Sequence, residues 1–476
     1  MNRVPKIVLV LVALSLAAAG TPRDVEPPMS REEAIAVLKA NGCDVHPTAP
    51  IDGLCVSTPP EAGRTPQILK AIDRLSDVRD LCLSMPDLTD AHLAHLEHLG
   101  MLESLTFYMG GEEKVKGLGL RHLRGLKKLR ELNLLGTAID DEGLKNMPVL
   151  PALERLTLGR RVTDRGMSAL SVLTSLRWLD VVGGVGDDGL AALHNNKRLE
   201  RIEPLTRVTD AGLPRLAAFP EMRGIHLQNT RVGDDGMKQL ALVPQITGLG
   251  LQGTAVTDAG LRYVGQIGGL AGLGLNGLPV TDAGMSNLSA LARLTSLDLA
   301  ETKISNAGLA YLAGMKQMKG LNLDGTRITD AGLAHLAGMV KLEELSLNET
   351  KITDAGLVHL AGMTRMKRLT MDRTQIVGPG LRHLKGMVRL QFLDMRRTPL
   401  TDAGLAELRG LPKLLYLEID DAPVTDAGMK YLEDLPKLHS VALGKTKVTP
   451  GARKSLYARR RISCSVYHKP PPPFSP

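Results

Sequence analysis

The sequence predicts an α/β solenoid: an arc with a parallel β-sheet on its concave side and short helices outside. Three observations carry this. The stretch IleThrAspAlaGlyLeuAlaHisLeu at 328–336 is nearly repeated 24 residues later, at 352–360. Anchored on its Asp, the same slot recurs at Asp90, Gly117, Asp141, Asp164, Asp187, Asp210, Asp234, Asp258, Asp282, Asn306, Asp330, Asp354, Gly378, Asp402, Asp426 and Pro450, and every step from Asp210 onward is 24 residues. Aromatic residues make up only 3% of the chain, so leucine does the packing. A fixed period of 20–29 residues filled with leucine is the mark of stacked repeats.

The chain opens MetAsnArgValProLys and continues apolar from Ile7 to Ala19 except at Ser15. A basic start, a short apolar run and small residues predict a signal peptide over 1–20. The run is too short to span a bilayer comfortably. No Cys follows it, so nothing supports a lipid anchor. Residues 21–30 are proline-rich and read as a flexible linker. Residues 31–77 read as an αβ cap with helices over 31–41 and near 66–76. Solenoids need such a cover over the open end of the first unit.

Residues 318–341 show what one of the sixteen or so units over 78–455 does. Leu321 and Leu323 alternate with Asn322, which predicts a strand with one buried face. Gly325 and Thr326 turn the chain, and Ile328 points back inward. Thr329 and Asp330 start a helix, since a side-chain oxygen there accepts an orphan backbone N–H and a carboxylate suits the positive end. Leu333 and Leu336 share a helical face, and Gly338 ends it. One unit cannot bury its leucines alone, so stacking builds the core. Burying each leucine contributes about 1.5–3 kcal/mol. Sixteen rungs about 4.8 Å apart give a sheet roughly 75 Å long.

The step from Asp90 to Gly117 is 27 residues, with the excess in TyrMetGlyGlyGluGluLysVal. Steps from Asp141 to Asp210 are 23 residues, and the turn there loses its Thr. Pro204 falls in a strand slot, which predicts a disturbed sheet, because proline lacks the ladder donor. A cap strand is expected within 456–467. The tail 468–476, HisLysProProProProPheSerPro, reads as a disordered, extended polyproline segment.

The pattern LeuxxLeuxLeuxxThrxIle/ValThrAspAlaGlyLeuxxLeu resembles the leucine-rich repeat family. It is similar to the subtype of F-box and exported bacterial repeat proteins, with Thr where the eukaryotic form has Cys, as at Thr230, Thr302, Thr326, Thr350, Thr374 and Thr398. The resemblance implies the arc and a recognition role. No F-box-like module precedes the repeats, which weakens a ubiquitin-ligase adaptor reading.

Little in the chain points to chemistry. Net charge is +8, from 59 basic and 51 acidic residues interspersed along the units. No basic stripe with interleaved aromatics points to nucleic acid. No nucleophile elbow, HisGluxxHis or phosphate-binding loop occurs. His92, His95 and His98 line one short helix, but the third drifts off the face, so no metal and no cofactor are assigned. Cys43 and Cys55 flank a hairpin and could pair in an exported protein, adding about 3 kcal/mol for so short a loop.

Strand alternation places the residues on either side of the second Leu on the concave face. Gly248, Gly250, Gly272 and Gly274 make its middle smooth. Arg368, Phe392, Asp394, Tyr416 and Glu418, with Arg396 just beyond, form a candidate protein-binding patch, since buried aromatics and Arg dominate recognition hot spots. Trp178, the only Trp, and Asp180 form a second, with Arg155 and Arg201 on neighbouring rungs. The leading expectation is a monomeric, exported, non-catalytic scaffold that binds protein, with glycan as the second ligand class. A structural or adhesive envelope component is the alternative.

Overall fold

A computed structural model describes residues 29–45, 53–56, 65–108, 114–243 and 245–465. The leader at 1–20, residues 21–28 of the linker, most of the acidic insertion and the tail at 468–476 lie outside the described residues.

The chain enters through α1 (Arg31–Ala40). Ser30 caps it and Glu33 reaches back to the Ser30 N–H at 2.8 Å, a reciprocal pair that satisfies two orphan donors. Arg31 holds Asp77 at 2.8 Å, and α1 packs on α2 (Thr65–Ile72). Between them β1 (Asp44–Val45) pairs antiparallel with β2 (Leu54–Val56), and β2 runs parallel to β3 (Asp80–Leu83). The αβ segment thus joins the first unit by its sheet edge.

Every later pairing is parallel and in sequence order. One sheet of eight strands ends at β8 (Arg201–Glu203); a second of eleven runs from β9 (Gly224–His226) to β19 (Ser463–Ser465). The break falls next to Pro204, where the sequence anticipated a disturbance: the ladder needs a backbone donor that proline lacks. The core crosses it undivided, as one apolar cluster from Ala34 to Ile462. Each unit returns to its sheet through a short α or 3-10 segment, such as Asp258–Val264 or Asp354–Leu360. The last helix, Pro450–Arg460, covers the end before β19, longer than the sequence reading allowed.

The repeated polar residues have distinct jobs. The Thr before Asp, not the Asp, is the helix cap: Thr257 Oγ accepts the Ala259 N–H at 3.2 Å. The Asp reaches into the next unit instead. Asp234 accepts from Thr257 N at 2.8 Å and Thr257 Oγ at 2.7 Å. Asp282 does the same to Ser305, at 2.7 and 2.5 Å. The Gly three residues after the cap follows from this: a Cβ on Gly260 would collide with the Asp234 carboxylate. The turn threonines act within their own unit, as Thr326 Oγ donating to Leu323 O at 2.6 Å.

Candidate recognition surface

Four adjacent strands of the second sheet carry the C-terminal patch: β15 (Arg368–Thr370), β16 (Phe392–Asp394), β17 (Tyr416–Glu418) and β18 (Ser440–Ala442). The parallel register makes two rows. Arg368, Phe392, Tyr416 and Ser440 stand side by side, as do Thr370, Asp394, Glu418 and Ala442. The structure therefore brings all six sequence-selected residues of this patch together. Their concave direction follows from the leucine between each pair, which enters the core.

The first row is aromatic and basic. The Arg368 guanidinium lies over the Phe392 ring, 4.0 Å from its centre, in cation–π geometry. Tyr416 meets His439 edge-on at 6.2 Å. Phe392 is only 4% exposed, partly because Arg368 covers it.

The second row is acidic and buried. Asp394 is 2% exposed and Glu418 3%. Arg396 spans both: Nε and Nη2 donate to Asp394 Oδ1 and Oδ2 at 3.0 and 2.6 Å, and Nε lies 3.1 Å from Glu418 Oε2. This fork matches a carboxylate geometrically, and the hydrogen bond to Asp394 raises the Arg396 pKa further. Arg397 holds Asp372 in the same manner. Burial, then the Asp394 charge, pushes the Glu418 carboxyl up to about 7. Burial also raises Asp420 and lowers Arg368. Two buried atoms here have no hydrogen-bond partner: Glu418 Oε1 and Arg368 Nη1.

Trp178 and Asp180 sit on β7 (Trp178–Val181) of the first sheet, so the two candidate patches are separate. The Arg155 guanidinium stacks 3.9 Å from the Trp178 ring centre, and Trp178 Nε1 reaches Glu200 Oε2 at 3.4 Å. Arg201, beside Trp178 in register, donates to Glu203 Oε2 at 2.6 Å. Burial and the adjacent Glu203 raise the Asp180 pKa. Gly248 pairs with Gly272 and Gly250 with Gly274 between the patches, and the strip is not bare: the Gln228 and Gln252 side chains lie against Gly250 and Gly274.

Two features lay beyond the sequence reading. A cavity of about 520 Å³ opens past the strand ends, lined by Tyr108, Leu135, Arg160 and Arg161; Tyr108 is 59% exposed and Leu135 49%. Their shared slot just after the strand was the available signal. In later units that slot is polar and inward-bonded, as where Asp324 Oδ1 accepts Ser346 Oγ at 2.6 Å and Asn348 N at 2.8 Å.

The remaining candidates are placed as follows. His92 accepts the Thr89 N–H at 3.2 Å, a cap role, and burial lowers its pKa. Among the described residues no three His, Cys, Asp or Glu side chains group as a metal site. Cys43 is buried before β1, and Asp44 stands opposite Cys55. No described helix is long and apolar enough to cross a membrane.

A family profile described as Leucine Rich repeat matches residues 125–147, 293–313 and 339–361. No curated protein matches the chain. Among solved structures, an internalin (inlF) of Listeria monocytogenes aligns with a TM-score of 0.50 and 19% identity, covering 80% of this chain and 89% of that one. A leucine-rich-repeat protein of Leptospira interrogans aligns at 0.44 and 14%, covering 83% and 91%. A second Listeria internalin (inlC2) aligns at 0.34 and 28%, covering 44% and 82%. The first likeness is one of fold alone, and the lower-scoring two add nothing to it.

Proposed function

We propose, from the premise that this chain is a leucine-rich repeat protein, that it is an exported, non-catalytic scaffold recognising a protein partner through its concave sheet. One observation carries the reading. On the C-terminal strands the concave positions hold a stacked Arg368–Phe392 pair beside an Asp394–Arg396–Glu418 cluster, where the middle strands hold glycine. The repeat needs only its leucines, Asp, Thr and Gly to stack. These side chains are surplus to stacking, and their composition is that of an interaction hot spot.

A protein ligand fits better than a glycan. Sugars stack on open aromatic faces, and Arg368 already occupies the Phe392 face. Export rests on the apolar run Ile7–Ala19 behind Arg3 and Lys6.

The test is a footprint. The full chain captures partners from an envelope fraction, and hydrogen exchange is compared with and without the captured protein. Protection over 392–420 supports the reading. Protection confined to the helical side of the solenoid contradicts it.

A further inference from the structure

Two neighbouring units near the start of the solenoid depart from the repeat at one slot. The strands β4 (Ser104–Phe107), β5 (Glu131–Asn133) and β6 (Arg155–Leu158) pair in parallel register, Thr106 on Asn133 and Asn133 on Thr157. Tyr108 and Leu135, each two residues further on, therefore share a slot. The core takes the side chains just before them, Phe107 and Leu134, while Tyr108 and Leu135 stay exposed. Stacking does not need them, and apolar surface left in water forgoes the gain of burial.

The next unit supplies charge. Its shortened turn reads GlyArgArgVal at 159–162. Val162 enters the core as Ile139 does one unit earlier, and Arg160 and Arg161 are left exposed on the cavity wall. Neither guanidinium has an ion pair or hydrogen bond among the described residues. Nearby arginines do have ion-pair partners: Arg155 lies 3.7 Å from Glu131 and Arg207 3.6 Å from Asp164.

The cavity between these residues is preformed. The Gly136 N–H donates to Phe107 O at 3.1 Å, and a Cβ on Gly136 would collide with the Phe107 and Tyr108 carbonyls, so the two rungs are locked together. Asn133 Oδ1 accepts the Leu135 N–H at 3.0 Å and Thr137 Oγ donates to Leu134 O at 2.7 Å, so these polar atoms serve the wall itself. The volume of about 520 Å³ falls within the range of small-molecule sites, about 300–1,000 Å³. Rung order sets Tyr108 at one end, Leu135 between and the arginines at the other end, a span of about 10 Å over two strand spacings. A guanidinium grips a carboxylate through two parallel hydrogen bonds, and the Tyr108 ring and Leu135 methyls take an apolar body. An inorganic anion leaves the apolar wall wet, and a neutral hydrocarbon leaves both cations unpaired.

We propose that this cavity binds an organic carboxylate with an apolar body of about one ring, the carboxylate on Arg160 and Arg161 and the body against Tyr108 and Leu135. The site is separate from the C-terminal patch and stands whether or not that patch recognises protein.

The test titrates the full chain with 4-phenylbutyrate, followed by ligand-observed NMR, beside butyrate and the neutral 4-phenylbutyramide. 4-Phenylbutyrate is expected to saturate one site, with butyrate and the amide each about tenfold weaker, some 1.4 kcal/mol. Arg160→Ala with Arg161→Ala is expected to bring 4-phenylbutyrate down to the level of the amide and to leave the amide unchanged. Leu135→Asp, which sets a carboxylate of the chain before the two arginines, is expected to abolish 4-phenylbutyrate binding. All three substituted side chains are exposed, and an unchanged urea midpoint confirms that each variant folds. Equal binding of butyrate and 4-phenylbutyrate would mark an adventitious ion only. That result would overturn the proposal, as would the absence of saturation or indifference to either variant.

Discussion

Asp330 of one unit accepts two hydrogen bonds from Thr353 of the next, from the backbone N at 2.8 Å and from Oγ at 2.6 Å. The Thr thereby stays oriented to cap its own helix, with its Oγ accepting the Ala355 N–H at 3.2 Å. Removing the carboxylate strands both donors. Asp330→Ala is expected to destabilise by about 1–3 kcal/mol, read from the urea midpoint. Asp330→Asn should cost far less, because Asn306 already makes the equivalent contacts with Thr329, at 2.9 Å through Oδ1 and 2.8 Å through Nδ2. Equal losses for the two substitutions would remove the interunit role.

Glu301 occupies the turn with φ at +56°, a slot that Gly253, Gly277 and Gly325 fill in other units. The left-handed region crowds a Cβ against the backbone. Glu301→Gly is expected to stabilise by up to about 1 kcal/mol, the strain relief outweighing glycine's chain entropy. Glu301→Val should destabilise, since branching at Cβ worsens the crowding. A chemical-denaturation series on the two variants decides it.

Glu418 gives the pH test. Its carboxyl is raised from 4.5 to about 7, so the folded state holds a proton that the unfolded state releases. The associated stability is fully present below about pH 4.5 and is lost as pH rises through about 7, with about 1.4 kcal/mol per unit as the upper scale. Glu418→Gln is expected to abolish the loss of stability across this window, and an unchanged slope would contradict the assignment.

The exported reading carries a covalent consequence. Cys43 and Cys55 are expected to form a disulfide in protein recovered from an oxidising compartment. Alkylation of the denatured chain without reductant should leave both unlabelled, and reductant should release both. Labelling of either before reduction would contradict the bond.

The sequence made some of this legible and hid the rest for physical reasons. A strict period of 24 reveals the stack because each leucine must meet its neighbour's leucine. Alternation around Leu393 and Leu417 reveals which side chains share the concave face. The Asp330–Thr353 pair was hidden, since helix-start chemistry offers a sufficient local role for Asp and its actual donors lie 23 residues on. The burial of Asp394 and Glu418 was hidden too. It depends on Arg396 folding back over the strand it has just left, and composition cannot give that direction.

In this reading the repeated residues build the solenoid while its concave C-terminal residues bind. The direct measurement is quantitative capture from an envelope fraction with two folded variants side by side. One carries Phe392→Ala, Arg396→Ala and Tyr416→Ala; the other carries His335→Ala and His359→Ala, on the helical side. A saturable protein partner is expected to be lost from the first and kept by the second. Retention of every partner by the first variant would contradict it.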